Sequence, residues 1–150
     1  MTDLTGRLAA LTERLAEAVA GSSAPMEAAD RTELAELLPL IQRHADEQGL
    51  RMDDERLLAV AVHALAFVRR VRDGEHLEPL GAQLYDEVPA DRRAAARRLV
   101  DAYCAPRGFA AHDSEVLLFA LHFEVAHAHA HNNGPARTAH TDTRSEGAEQ

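Results

Sequence analysis

Two histidines stand in the middle of apolar segments, and their residue type sets the first question about this chain. His63 lies in LLAVAVHALAFVRR and His122 in SEVLLFALHFEVA. A neutral imidazole buried in such a run still needs hydrogen-bond partners, so histidine is uncommon there. It is also the side chain suited to carrying a proton or a phosphoryl group near neutral pH. Two of them, about sixty residues apart and in related surroundings, point to chemistry more than to packing.

The segments around them read as helices. On a helix turning about 100° per residue, Leu57, Ala61, Ala64, Val68 and Val71 share one stripe, the expected core face. His63 falls off the centre of that stripe. Its companions seven residues away in either direction are Arg56 and Arg70, with Ala59 and Ala66 between, so a shallow groove with positive charge above and below the ring is expected. On the later segment Glu115, Leu118, Phe119, His122 and Ala126 form one stripe, which puts His122 at the rim of the core or inside it.

The rest of the chain is consistent with an all-α protein. Of 150 residues 46% are hydrophobic and only 4% aromatic, with no Trp, so Leu, Val and Ala must fill the core. Ala, Leu, Arg and Glu dominate, and all are good helix formers. No segment alternates apolar and polar residues as a strand would. A single bundle of five to six helices is expected. Leu4, Leu8, Leu11, Leu15 and Val19 form a helical stripe capped by Asp3. Gly21 to Pro25 breaks it. Asp30 and Glu33 resemble a capping box for a second helix, with Pro39 inside as a kink or a later start and Gly49 as its end. Asp53 or Asp54 caps a third helix that stops at Gly74. A short helix lies around 79–87, a longer one opens at Pro89, and Asp113 or Ser114 caps the last. The expected organisation is an amphipathic helix and loop at 1–29, a helical domain at 30–131 and a disordered polar tail at 132–150.

The formal charge of −9 argues against direct nucleic-acid binding, which needs a strong basic patch. The arginines at 69, 70 and 72 and at 92, 93, 97 and 98 are the densest basic runs, and the second set reads as a solvated face with acids nearby. A single cysteine, Cys104, excludes an intramolecular disulfide and reads as small core filler. The start of the chain lacks a secretory signal and no apolar run is long enough to span a bilayer, so a soluble cytoplasmic protein is expected. There is no phosphate-binding glycine loop, nucleophile elbow or HExxH helix, so an enzyme is not expected, nor a cofactor.

Taken together, the two histidine segments resemble the PTS regulation domain, the helical module of sugar-responsive bacterial antiterminators and activators. That family carries one histidine in a segment like Leu-x-Asp-His with an arginine seven residues on, matched here by Val60-Ala-Val-His63 and Arg70. It carries a second in the last helix, in Glu-x-x-x-x-x-x-His followed by an apolar residue, matched by Glu115, His122 and Phe123. The acid that usually precedes the first histidine is Val62 here, and the family's nucleic-acid-binding partner domain has no counterpart in residues 1–29. The resemblance implies control by reversible phosphorylation of His63 and His122, and modulation of carbohydrate genes, by antitermination or activation, through a partner. The donor would be the phosphocarrier protein HPr or an enzyme II B component, and the domain would form a homodimer. Arg70 and Arg56 are the candidates to contact the phosphate.

Two other functions compete. His127 and His131 are spaced four apart and could hold a metal on a helix, with His129 and His140 nearby but no cysteine or carboxylate to complete the set. A homodimeric interaction module without phosphorylation is the other, using the leucine stripe of the first helix.

Overall fold

The structure, a computed structural model, describes residues 2–132. It is all-helical, with no strand among the described residues. Helix α1 spans Thr2–Val19, α2 Ala28–Glu47, α3 Asp54–Asp73, α4 Ala82–Asp86, α5 Ala90–Cys104 and α6 Asp113–Asn132, with a 3₁₀ turn at Ala105–Arg107 between the last two. The expected tail at 132–150 lies outside the described residues, apart from Asn132 at the end of α6.

The leucine stripe of α1 does what its spacing predicts. Leu11 and Leu15 are buried, with Leu8 and Val19 packed against the core beside them. They lie on α2 and α3. Helix α3 sits at the centre, touching α1, α2 and α6, while α5 closes the bundle against α2 and α6. The core is aliphatic with a few rings: Phe67, Phe119 and Tyr103 are its largest fully buried side chains. Phe67 packs edge-on against Phe119, with ring centroids 5.2 Å apart. Cys104 is buried, and burial pushes its thiol up to about 11, which keeps it an inert filler.

Helix ends follow local chemistry with corrections at three starts, those of α1, α2 and α6. Asp3 lies inside α1 rather than capping it. Helix α6 already includes Asp113, so neither Asp113 nor Ser114 is its cap. Asp53 caps α3 by accepting from the Arg56 N–H, and Gly74 ends it at φ 71°, a left-handed conformation that favours glycine. Helix α2, in contrast, starts three residues earlier than its sequence suggests. Glu27, not Asp30, is the N-cap, and Asp30 is the third helical residue, its carboxylate accepting from the Glu27 N–H at 2.9 Å. Asp30 is fully buried and also accepts from Arg69 and Arg72 of α3. Those long-range partners decide its place, and no local signal encodes them. Pro39 lies inside α2 without ending it.

The basic runs are largely consumed by ion pairs. Arg92 donates to Glu124, Arg97 to Asp101 and Asp113, and Arg93 to the carbonyls of Tyr85 and Val88. Arg69 and Arg72 hold Asp30, so neither set forms a free cationic surface for phosphates. Among the described residues no helix is long and apolar enough to cross a membrane.

Candidate functional site

Helices α3 and α6 pack antiparallel, and each contributes residues seven apart to one row. From α3 come Arg70, His63 and Arg56, and from α6 come Glu115 and His122. A spacing of seven is close to two helical turns, so residues so spaced share a face. At one end Arg70 donates Nε and one terminal nitrogen to the two oxygens of Glu115, at 2.9 and 2.8 Å. His63 comes next, with Nε2 3.3 Å from Glu115 Oε2. The contact is poorly aligned for a hydrogen bond, but the Glu115 carboxylate is the acceptor that this buried nitrogen faces. The His63 ring lies edge-on to Phe119, and its centroid is 5.1 Å from that of His122. Beyond His122 stands the charge of Arg56.

The two sequence-singled histidines therefore meet, although nothing local to either segment required it. His63 is only 9% exposed, more deeply set than the edge of a groove, while His122 is partly exposed. The two arginines flanking His63 in the sequence have different fates. Arg70, an expected phosphate contact, is already occupied by the Glu115 carboxylate. Arg56 keeps a buried Nε without a hydrogen-bond partner. Glu115, noted in the sequence only as part of a motif, is the counter-ion of the whole arrangement. It supplies a carboxylate beside His63, whereas Val62, the residue before His63 in the chain, is 46% exposed.

The electrostatics differ across the row. Burial alone would raise the Glu115 carboxyl, but His63 and Arg70 beside it more than offset this and hold it below the ordinary glutamate range. Burial, the neighbouring His63 and the charge of Arg56 together push His122 down to about 4. His122 is thus a neutral imidazole with an available lone pair throughout the physiological range. The depressed value has a consequence for stability. Below the ordinary histidine pKa of 6.5 the unfolded chain binds a proton at residue 122 that the folded chain refuses until about pH 4. Stability is therefore expected to fall as pH drops from 6.5 toward 4, and His122→Gln should flatten that slope in thermal melts taken across this window. An unchanged slope would show that other groups control it.

Four further histidines with described side chains lie elsewhere. His44, buried on α2 and packed on Phe123 at 4.4 Å, carries no motif that marks it in the sequence. His76 stacks on His112 at 3.7 Å in exposed loop structure. Among the described residues no three His, Cys, Asp or Glu side chains are placed to hold a metal. Of the expected metal pair, His127 is partly buried near Arg92 and Glu124, and the side chain of His131 lies outside the described residues. No protein-family model matches this chain, and no curated protein or solved structure matches it either.

Proposed function

We propose that this chain is a regulatory domain of the PTS regulation type, controlled by reversible phosphorylation of His122 and His63. The observation that carries the reading is the approach of two imidazoles from separate helices, 5.1 Å apart, with a carboxylate–arginine pair on one side and an arginine on the other. His122 is the first acceptor. Its neutral ring is partly exposed, and its lone pair forms the new N–P bond as the N–P bond of a phosphohistidine donor breaks. The electron pair of the broken bond returns to the donor's nitrogen. No metal or cofactor is needed on this side of the exchange, because the donor brings the activated phosphoryl group. Arg56 then faces the phosphoryl oxygens, since guanidinium donors suit such an anion.

The donor is proposed to be the phosphocarrier HPr or an enzyme II B component. The two exposed large hydrophobic residues among those described are Val62, next to His63 in the chain, and Val125, one turn beyond His122. They give a visiting protein an apolar rim beside the pair. A phosphoryl group adds nearly two negative charges at this rim. That charge would change how the domain associates with a second copy or an output partner, and through it the expression of carbohydrate genes. The acidic chain and its paired arginines favour action through protein rather than directly on nucleic acid.

The test is incubation with phosphoenolpyruvate and the general phosphotransfer proteins. Acid-labile label should appear on the wild-type chain and be lost from the H63A/H122A double variant. Equal labelling of the two would sink the reading.

A further inference from the structure

The dense basic runs form no cationic surface, but one member is left over. Of the arginines at 69, 70, 72, 92, 93, 97 and 98, Arg98 alone makes neither an ion pair nor a hydrogen bond. It lines a cavity of about 280 Å³ between α2 and α5. Arg43 of α2, equally without a partner, lines the same cavity. The helical period brings the walls together. Leu40, Arg43, His44 and Glu47 share one face of α2, and Ala95, Leu99 and Ala102 share one face of α5. The two alanines leave the space open, and Leu40 and Leu99 give it an apolar floor. His44, buried and held against Phe123 of α6 at 4.4 Å, is part of the lining. Burial, with the charges of Arg98 and His127, outweighs Glu47 and lowers the His44 imidazole, which near neutral pH offers a hydrogen bond rather than a charge.

We propose that this groove binds a small hydroxylated phosphate monoester, with Arg43 and Arg98 taking the phosphoryl oxygens from opposite walls and Glu47 and His44 taking the hydroxyls. Guanidinium groups suit phosphoryl oxygens, because their fork of N–H donors matches the spacing of the oxygens and both partners are charged. Two arginines against one acid leave a positive excess in the lining. A carboxylate only accepts, so Glu47 opposes a bare anion and favours a body that brings hydroxyl donors with it. The space equals roughly nine waters at ~30 Å³ each, which suits a body of a few carbons and is too small for a nucleotide. It lies at the small end of the range for ligand sites.

No bond is made or broken on binding. None of the lining residues belongs to the row that α3 and α6 build, so occupancy of this groove is independent of phosphorylation at His63 or His122. The two functions can therefore fail separately.

The test is calorimetric titration of the full chain with glycerol 3-phosphate near pH 7.5 at constant ionic strength, with glycerol and inorganic phosphate as controls and no donor protein present. Saturable binding is expected for glycerol 3-phosphate, about tenfold or more weaker binding for each control, and a shift of the His44 ring signals in NMR with the same midpoint. Arg43 and Arg98 are exposed, so Arg43→Gln and Arg98→Gln should keep the melting temperature, and each should weaken binding by about tenfold or more. Glu47→Gln should narrow the preference over inorganic phosphate, because it removes the repulsion that a bare anion meets. The H63A/H122A double variant should bind as wild type does. Absence of saturable binding, equal affinity for inorganic phosphate, or an unchanged affinity in Arg98→Gln would overturn the proposal. If a variant fails to fold, the comparison of the three ligands on the wild-type chain decides the matter by itself.

Discussion

Glu115→Ala is expected to destabilise the domain by about 3–5 kcal/mol, the usual cost of removing one partner from a buried ion pair. Glu115 is nearly fully buried and accepts two hydrogen bonds from Arg70, whose own side chain is largely covered. Without the carboxylate, Arg70 keeps its charge in a place where water reaches it poorly, and His63 loses the acid beside it. The loss also falls on the contact between α3 and α6, the helices that bring the histidines together. Glu115→Gln keeps the shape and the hydrogen-bonding oxygen, so a smaller loss is expected. A double-mutant cycle with Arg70→Ala should return a coupling of more than about 1 kcal/mol, because the two groups touch directly. Urea midpoints for the four proteins measure all of this. A loss below about 1 kcal/mol for Glu115→Ala would mean that the pair is exposed and screened like a surface salt bridge.

Asp30→Ala should have the second largest effect, about 3 kcal/mol, at the low end of the same range because its arginine partners are more exposed. Asp30 has no exposed surface. It accepts from Arg69 at 2.8 Å, from Arg72 at 3.0 Å and from the Glu27 N–H at 2.9 Å. One carboxylate thus closes the start of α2 and ties it to the end of α3. Its pH dependence has a definite sign. Burial would raise the Asp30 carboxyl, but Arg69, the Glu27 N–H and Arg72 together lower it from 3.8 to about 2. The stabilisation is complete above pH 3.8 and disappears as pH falls through about 2. Asp30→Asn should remove that acid-range slope while costing less at pH 7 than alanine. Acid unfolding curves from pH 5 to 2 compare the variants, and an Asp30→Asn curve parallel to wild type would contradict the account.

Asp30 also shows where sequence reasoning stops. Its type and its place before Leu34, Leu37 and Leu38 make it a reasonable helix cap. Its actual role depends on Arg69 and Arg72, about forty residues later, and pairings at that range leave no periodic trace. The leucine stripe of α1 was legible because burial of one face imposes a period that any window of the chain displays. Pro39 was ambiguous for a different reason. A proline removes one helical hydrogen bond, but Leu37, Leu38 and Ile41 bury enough apolar surface on either side to carry α2 through it.

The candidate site divides in the same way. His63 and His122 stand out by residue type alone, and the seven-residue spacings of Arg56, His63 and Arg70 and of Glu115 and His122 are plain in the sequence. What the sequence did not contain was the antiparallel packing of α3 on α6 that interleaves the two sets. Without it Arg70 looked free for a phosphate, whereas Glu115 occupies it, and His63 looked shallower than it is. The spacing makes Arg56 a possible contact, and the burial of its Nε without a hydrogen-bond partner follows from packing that no local pattern encodes.

The most direct test of the central claim is the position of the phosphoryl group after exposure of the wild-type chain to phosphoenolpyruvate and the general phosphotransfer proteins. Tandem mass spectrometry of peptides kept at alkaline pH, where phosphohistidine survives, reads it. The account predicts phosphate on the peptide containing His122, with His63 as the second position. Phosphate confined to His44, His76, His112 or His127, or found on no histidine, would contradict it.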